Sequence, residues 1–296
     1  MTQGTFRERL DALVEMRATG PAAIEDAARR RVRRDSLLGA SGRLMIVAAD
    51  HPGRGALAAG RDPLAMGDRR DLLERLCLAL GRPGVDGVLG TPDIVEDLLL
   101  LGALDGKVVL GSMNRGGLAG SSFEIDDRFT GYDAAAIAAS GLDGGKMLLR
   151  VDTGDPATVR TLESCAHAVT ELAAHRLVSM VEPFLSHRVD GRVRNILTPE
   201  AMIRAIAIAS ALGTTSAYTW LKVPVVADME RVMAASTLPA LLLGGEVPDD
   251  PGAALAGWRK ALALPTVRGL VVGRSLLYPP GGDVEAAVDA AVEVLR

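Results

Sequence analysis

From residue 43 onward, short apolar runs bounded by Gly, Pro or Asp recur along the chain: RLMIVAAD, VDGVLG, KVVLGSM, GKMLLRVD, RLVSMVEPF, AYTWLKVPV, LPALLLGG and VRGLVVGR. Several are continuously apolar rather than alternating, the pattern expected of parallel strands covered on both faces. Between them, 70–81, 92–102, 155–174, 198–212, 251–263 and 283–295 are amphipathic or Ala/Leu-rich and read as helices. Eight strands, each followed by a helix or a long loop, predict an α/β fold, the (β/α)8 TIM barrel. A doubly wound open sheet fits the same alternation. Ahead of it, TFRERLDALVEMRA and PAAIEDAARRRVRRDSLLG read as helices, with Pro21 at a first helical position and Gly39 near the second one's end. No Pro/Gly-rich linker divides the chain. The expected division is a helical N-terminal extension over 1–42 and one barrel domain over 43–296.

Composition narrows the function classes. The 296 residues are 48% hydrophobic and 24% charged, ordinary for a globular protein with a sizeable core. A net charge of −4 gives no reason to expect nucleic acid or an anionic membrane as partner. The run RRRVRR, with IEDAA upstream, reads as a solvated helix face. No stretch approaches the ~18 apolar residues of a membrane span, and MTQGTFRERL lacks a signal-peptide core. Cys77 and Cys165 have no paired spacing and read as buried thiols in a reducing compartment, so a cytoplasmic location is expected.

One usage is informative. Only four of the 33 basic residues are lysines, namely Lys107, Lys146, Lys222 and Lys260. Arginine does not deprotonate in a protein, whereas a buried lysine can. Lys222 stands inside the apolar run TWLKVPVV, and Lys146 opens GKMLLRVD. Barrel sites lie at the C-terminal ends of the strands. There the chain offers Asp50 and His51, Ser112 to Arg115, Glu182, Gly244 to Glu246, and Gly273 with Arg274. Alternation puts Lys146, Leu148 and Arg150 on one face of their strand, and the wholly apolar opposite face suits packing under helices. Lys146 is therefore expected to point inward.

A desolvated lysine near another cation is expected to give up its proton, and its free amine can attack a carbonyl carbon to form a Schiff base. Lys222 fits that role, with Lys146 as the second cation and Glu182 moving protons. Asp50 is read as a site residue addressing substrate hydroxyls, and His51 either joins it or caps the turn before Pro52. The glycines after the last two strands, Gly244, Gly245 and Gly273, with Arg274 beside them, suit a phosphate. Arg54, Arg115 and Arg188 are candidates for a second anionic group. His167, His175 and His187 form no metal-ligand spacing, so no metal and no cofactor is expected.

These segments resemble a known family. AADHPGRGAL, GGKMLLRVDTGDP, LVSMVEPFL, TWLKVPVV, LPALLLGGEV and VRGLVVGRSLL are similar, in that order over about residues 43 to 280, to the class I aldolases. The relatives meant are tagatose-1,6-bisphosphate aldolase and the bacterial and archaeal fructose-bisphosphate aldolases, within the deoxyribose-phosphate aldolase superfamily. The resemblance implies Lys222 as Schiff-base lysine, Glu182 as proton shuttle, Lys146 and Asp50 as site residues, and a phosphate cradle at Gly244, Gly245, Gly273 and Arg274. It implies a phosphorylated sugar as substrate and a homo-oligomer. The Pro-Gly before Arg54 departs from the family pattern, and LPALLLGGE lacks the lysine that deoxyribose-phosphate aldolase carries on its seventh strand. Three readings remain: an aldolase acting on a phosphorylated ketose or keto-deoxy sugar acid, a deoxyribose-phosphate aldolase-type or imine-free phosphosugar isomerase or epimerase, and a non-catalytic phospholigand binder.

Overall fold

The apolar runs form strands β1 (Leu44–Ala48), β2 (Gly87–Gly90), β3 (Val108–Ser112), β4 (Gly144–Val151), β5 (Val178–Val189), β6 (Arg192–Asn195), β7 (Thr219–Pro224), β8 (Ala240–Leu243) and β9 (Val267–Val272) in a computed structural model. It describes residues 5–248 and 250–296; residues 1–4 of the expected extension, and Asp249, lie outside the described residues. Eight strands pair in parallel in the order β4-β3-β2-β1-β9-β8-β7-β5, and β4 pairs with β5 to close the ring. The fold is a (β/α)8 barrel; the open sheet is excluded by that last pairing. The strand β6 stands apart as the antiparallel arm of a hairpin that extends β5 beyond the rim.

The helices are α1 (Phe6–Thr19), α2 (Ala22–Arg30), α3 (Arg69–Gly81), α4 (Pro92–Leu100), α5 (Ala134–Ala139), α6 (Ala157–Ala174), α7 (Pro199–Ser210), α8 (Met229–Met233), α9 (Pro251–Ala261), α10 (Arg274–Leu277) and α11 (Val284–Val294). Side-chain oxygens of Asp68, Asp133, Thr198, Asp250 and Asp283 cap five of them by accepting from backbone N–H groups in the first turn. The short α5, α8 and α10 and the β6 arm lacked a sequence pattern long enough to stand out.

The second N-terminal helix ends earlier than its composition suggests. It stops at Arg30, and 31–42 carry no regular helix. Arg31 turns under the barrel, where its guanidinium donates to the carbonyls of Lys107 (2.8 Å) and Gly141 (2.6 Å), just ahead of β3 and β4. Arg34 pairs with Asp86 at 2.8 Å and Arg33 with Asp143 at 3.5 Å. The basic run is thus a solvated helix face at Arg29 and Arg30 and, from Arg31 on, a clamp on the barrel floor. Leu37 and Leu38 follow it into the lower interior, against a cluster of Leu44, Ile46, Val108, Val178 and Leu241.

Along β1, β3, β5 and β7 the inward series changes from apolar below to polar above. Ala48 leads to Asp50, Leu110 to Ser112 and Asn114, Met180 to Glu182, and Trp220 to Lys222, each two residues apart. Strand stagger explains the level of Lys146. It lies early in β4 but pairs with Ser112, the last residue of β3, so it already stands at the height of the mouth.

Candidate active site

Six polar side chains from five elements meet at the upper interior. Glu182 on β5 is the hub: its Oε2 lies 2.5 Å from Lys146 Nζ and its Oε1 3.1 Å from Lys222 Nζ. Asp50, just past β1, is the second anchor. Its Oδ2 accepts from Lys146 Nζ (3.2 Å) and Ser112 Oγ (3.0 Å) and pairs with Arg115 Nη1 (3.1 Å). The side chains of Lys146 and Lys222 are 2% and 4% exposed, while that of Glu182 keeps 11%, so Glu182 marks the side of the cluster nearest solvent.

The surroundings of Lys146 weaken its hold on its proton. Burial, then the positive Arg115, lower its pKa to about 8 against the pull of Asp50 and Glu182. Burial pushes the carboxylates the other way, but the surrounding cations outweigh it. Lys146 and Lys222 hold Glu182 at about 2, and Lys146, Arg115 and Lys222 keep Asp50 well below the usual carboxylate range. Both acids are therefore ionised at neutral pH.

His51 does not cap the turn: it makes no side-chain cap bond ahead of the Pro52–Arg54 3-10 turn. Burial lowers its pKa to about 3, so it is a neutral imidazole, and its Nδ1 lies 3.9 Å from Asp50 Oδ1. The loops after β8 and β9 adjoin it. Gly245 has φ +69°, a left-handed conformation suited to glycine, and its carbonyl accepts from Arg274 Nη2 at 3.2 Å. A Cβ on Gly273 would stand 2.3 Å from the Ala48 carbonyl oxygen and 3.2 Å from the His51 ring. His51 Nδ1, Arg274 Nε and Ser275 Oγ are buried without a hydrogen-bond partner. Three unsatisfied polar atoms around two tight loops suit an anion that accepts from them.

The structure brings together Lys222, Glu182, Lys146, Asp50 and Arg115, and sets His51, Gly244, Gly245, Gly273 and Arg274 on the adjacent β8–β9 rim. Arg188 is not with them: it pairs with Asp155 at 3.0 Å and donates to the Ser122 carbonyl at 2.8 Å, at the hairpin. Ser112 stood among the strand-end residues without a role, although its inward parity with Leu110 is a signal that places it beside Asp50. Among the described residues no group of three or more His, Cys, Asp or Glu could hold a metal ion, and no helix is long and apolar enough to cross a membrane.

Solved structures share this architecture. Cgl0159 from Corynebacterium glutamicum is 55% identical over 97% of both chains, with a TM-score of 0.95. A Schiff-base-forming fructose-1,6-bisphosphate aldolase superposes with a TM-score of 0.63 at 18% identity, over 92% of this chain and 100% of that one. An archaeal fructose 1,6-bisphosphate aldolase gives 0.63 at 17%, over 92% and 98%. At such identities the likeness to aldolases is one of fold. A search of curated proteins finds no match. The Cgl0159-like family model matches residues 42–292, nearly the whole barrel, and the chain belongs to the Cgl0159-like family.

Proposed function

We propose that the protein is a metal-independent class I aldolase that cleaves and forms a carbon–carbon bond in a phosphorylated ketose or keto-deoxy sugar acid. The observation that carries this reading is one carboxylate, Glu182, bridging two buried lysines on the inner wall. Well-packed apolar residues would stabilise such a wall as well or better, so structure alone gives little reason to keep three charges there. The barrel likeness to Schiff-base-forming aldolases supports the same choice.

In this reading the free amine of Lys222 adds to the substrate ketone, and loss of water from the carbinolamine leaves an iminium. The bond between the α and β carbons then breaks. Its electron pair flows into the iminium to give an enamine, while the β-hydroxyl loses its proton and departs as an aldehyde. Protonation of the enamine and addition of water release the shortened ketone and restore the amine. Glu182 stands in reach of the Lys222 nitrogen to move protons in the carbinolamine steps. Its low pKa belongs to a resting cluster with both lysines charged; once Lys222 gives up its charge, one of the two cations holding it down is gone. Asp50, fixed by Ser112 and Arg115, addresses substrate hydroxyls. The phosphate occupies the β8–β9 rim at Gly244, Gly245, Gly273 and Arg274.

An imine-free isomerase would need Glu182 as base while both lysines stay charged, a state in which it is a weak one. Borohydride reduction with phosphorylated ketoses tests the choice. The expected result is a covalent adduct at Lys222, absent in Lys222→Arg, with cleavage activity falling by about three orders of magnitude or more. Turnover without an adduct, or near-normal cleavage by Lys222→Arg, overturns the assignment.

A further inference from the structure

A second set of cations lies across the mouth. Arg115 and Arg150 are buried, and Arg54, from the Pro-Gly insertion, reaches over them with its side chain 20% exposed. Arg54 and Arg150 share Glu124 Oε1, and a Cβ on Gly53 would lie 3.3 Å from Arg115 Cγ, so the three side chains are neighbours; burial, then the charges of Arg150 and Arg115, lower the Arg54 pKa to about 10. The loop over 116–131 holds them: Glu124 Oε1 is 2.5 Å from Arg150 Nη1 and 3.5 Å from Arg54 Nη1, and the Ala119 N–H donates to the Arg54 carbonyl at 2.9 Å. Asp127 Oδ2 stands farther off, 3.9 Å from Arg150 Nη2. Each arginine still has a buried nitrogen without a hydrogen-bond partner: Arg115 Nη2, Arg150 Nε and Arg54 Nη1, the last with only its 3.5 Å ion pair to Glu124. Native proteins seldom leave so many such donors in one place.

We infer that Arg54, Arg115 and Arg150 form a second anion subsite, which takes a carboxylate on the aldehyde-forming part of the substrate. Position gives the first argument. In a closed ring of eight strands, the β3–β4 rim that carries Arg115 and Arg150 stands opposite the β8–β9 rim that carries Arg274, with Lys222 and Glu182 between them. A substrate held by phosphate at one rim presents its far end to the other. Arg115 joins the two regions directly, since it also holds Asp50.

Charge gives the second argument. With position 222 counted as a cation, ammonium or substrate iminium, Arg54, Arg115, Arg150, Lys146 and Lys222 face Asp50, Glu124, Asp127 and Glu182, an excess of one positive charge. A carboxylate cancels it; a phosphate dianion would leave the pocket negative and desolvated. Planar guanidinium donors also match a carboxylate's two oxygens. The ketone's place between the rims rests on the aldolase reading, whereas the subsite itself does not.

The test uses probes without a ketone. Calorimetry would compare 6-phosphogluconate, glucitol 6-phosphate and glucitol 1,6-bisphosphate on the full chain, on Arg54→Gln and on Arg54→Lys. The full chain is expected to bind 6-phosphogluconate about tenfold or more tighter than glucitol 6-phosphate, and tighter than the bisphosphate. Arg54→Gln should bring the first ratio to within about twofold, and Arg54→Lys, which keeps a cation but not the fork, should fall between. Equal affinities in the full chain, no binding of any probe, or a ratio that survives both substitutions overturns the subsite. A bisphosphate that binds tightest overturns the carboxylate. Borohydride trapping at Lys222 reports separately on the aldolase reading, so failure of one is not failure of the other.

Discussion

Glu182 compensates two ammonium groups that have left water, and its own ionisation depends on them. In the unfolded chain its carboxyl titrates near the ordinary value of 4.5; in the fold the two lysines outweigh burial and hold it at about 2. A depressed folded pKa contributes stability that is fully present above 4.5 and is lost as pH falls from there toward 2. Lys146 acts in the opposite sense at the alkaline end. Its lowered value means that the cost of burying its charge is relieved as pH rises from about 8 toward 10.5. Glu182→Gln should therefore lose stability at neutral pH, by roughly 3–5 kcal/mol for a broken buried pair, and show a flatter decline below pH 4.5. Urea unfolding at several pH values between 3 and 7 would check both. Parallel acid limbs in the two proteins would contradict the linkage. In the proposed reaction the same variant should slow imine formation more than it weakens substrate binding.

At the level of elements, loops and strand levels decide the site. The β9–α10 turn lies so close to β1 that a Gly273→Ala methyl group would press into the Ala48 carbonyl, backbone that cannot swing aside. That variant should raise KM for a phosphorylated substrate about tenfold or more while Lys222 still traps small unphosphorylated ketones. Equal loss with both substrate types would mean a general collapse of the rim. Inward-pointing Lys146 was legible in the sequence, because alternation left its other face wholly apolar. Its height was not, because stagger is a property of neighbouring strands and β3 says nothing of β4 until they pair. The same limit hid the end of the second helix: Arg31 looks like any surface arginine until the carbonyls of Lys107 and Gly141, far along the chain, accept from it. The arginine triad was half visible. Arg54 and Arg115 stood out at loop positions, but Arg150 read as strand and Arg188 as an equal candidate until Asp155 took it.

For the whole molecule, residues 31–38 matter more than their position outside the strands suggests. They close the floor of the ring with arginine clamps at Asp86, Lys107 and Gly141, and Leu37 and Leu38 cover the lower interior cluster. Removing residues 1–42 should uncover that cluster and cost several kcal/mol of burial and hydrogen bonding. The thermal midpoint should fall by many degrees. A shortened chain that melts like the full one would show that the floor contributes nothing. The barrel architecture was plain from eight apolar runs in regular alternation with helical stretches, since that repetition is long and redundant. The floor was not, because its contacts join residues 50 to 110 positions apart with no local pattern.

Asn114, one turn of the pleat above Ser112, has a consequence for how such a site can change. Its side-chain amide donates to the Leu148 carbonyl at 2.6 Å and accepts from the Leu148 N–H at 2.7 Å, imitating a backbone rung after β3 itself has ended. A slip of one residue between these strands would turn Lys146 and Arg150 outward together. With that imitation rung fastening the alignment, the exposed side chains over 118–123 are free to vary without disturbing the surroundings of Lys146, while Arg115 and Glu124 on either side of them stay tied to Asp50 and Arg150. New substrate preferences can then be grafted onto this scaffold one loop at a time.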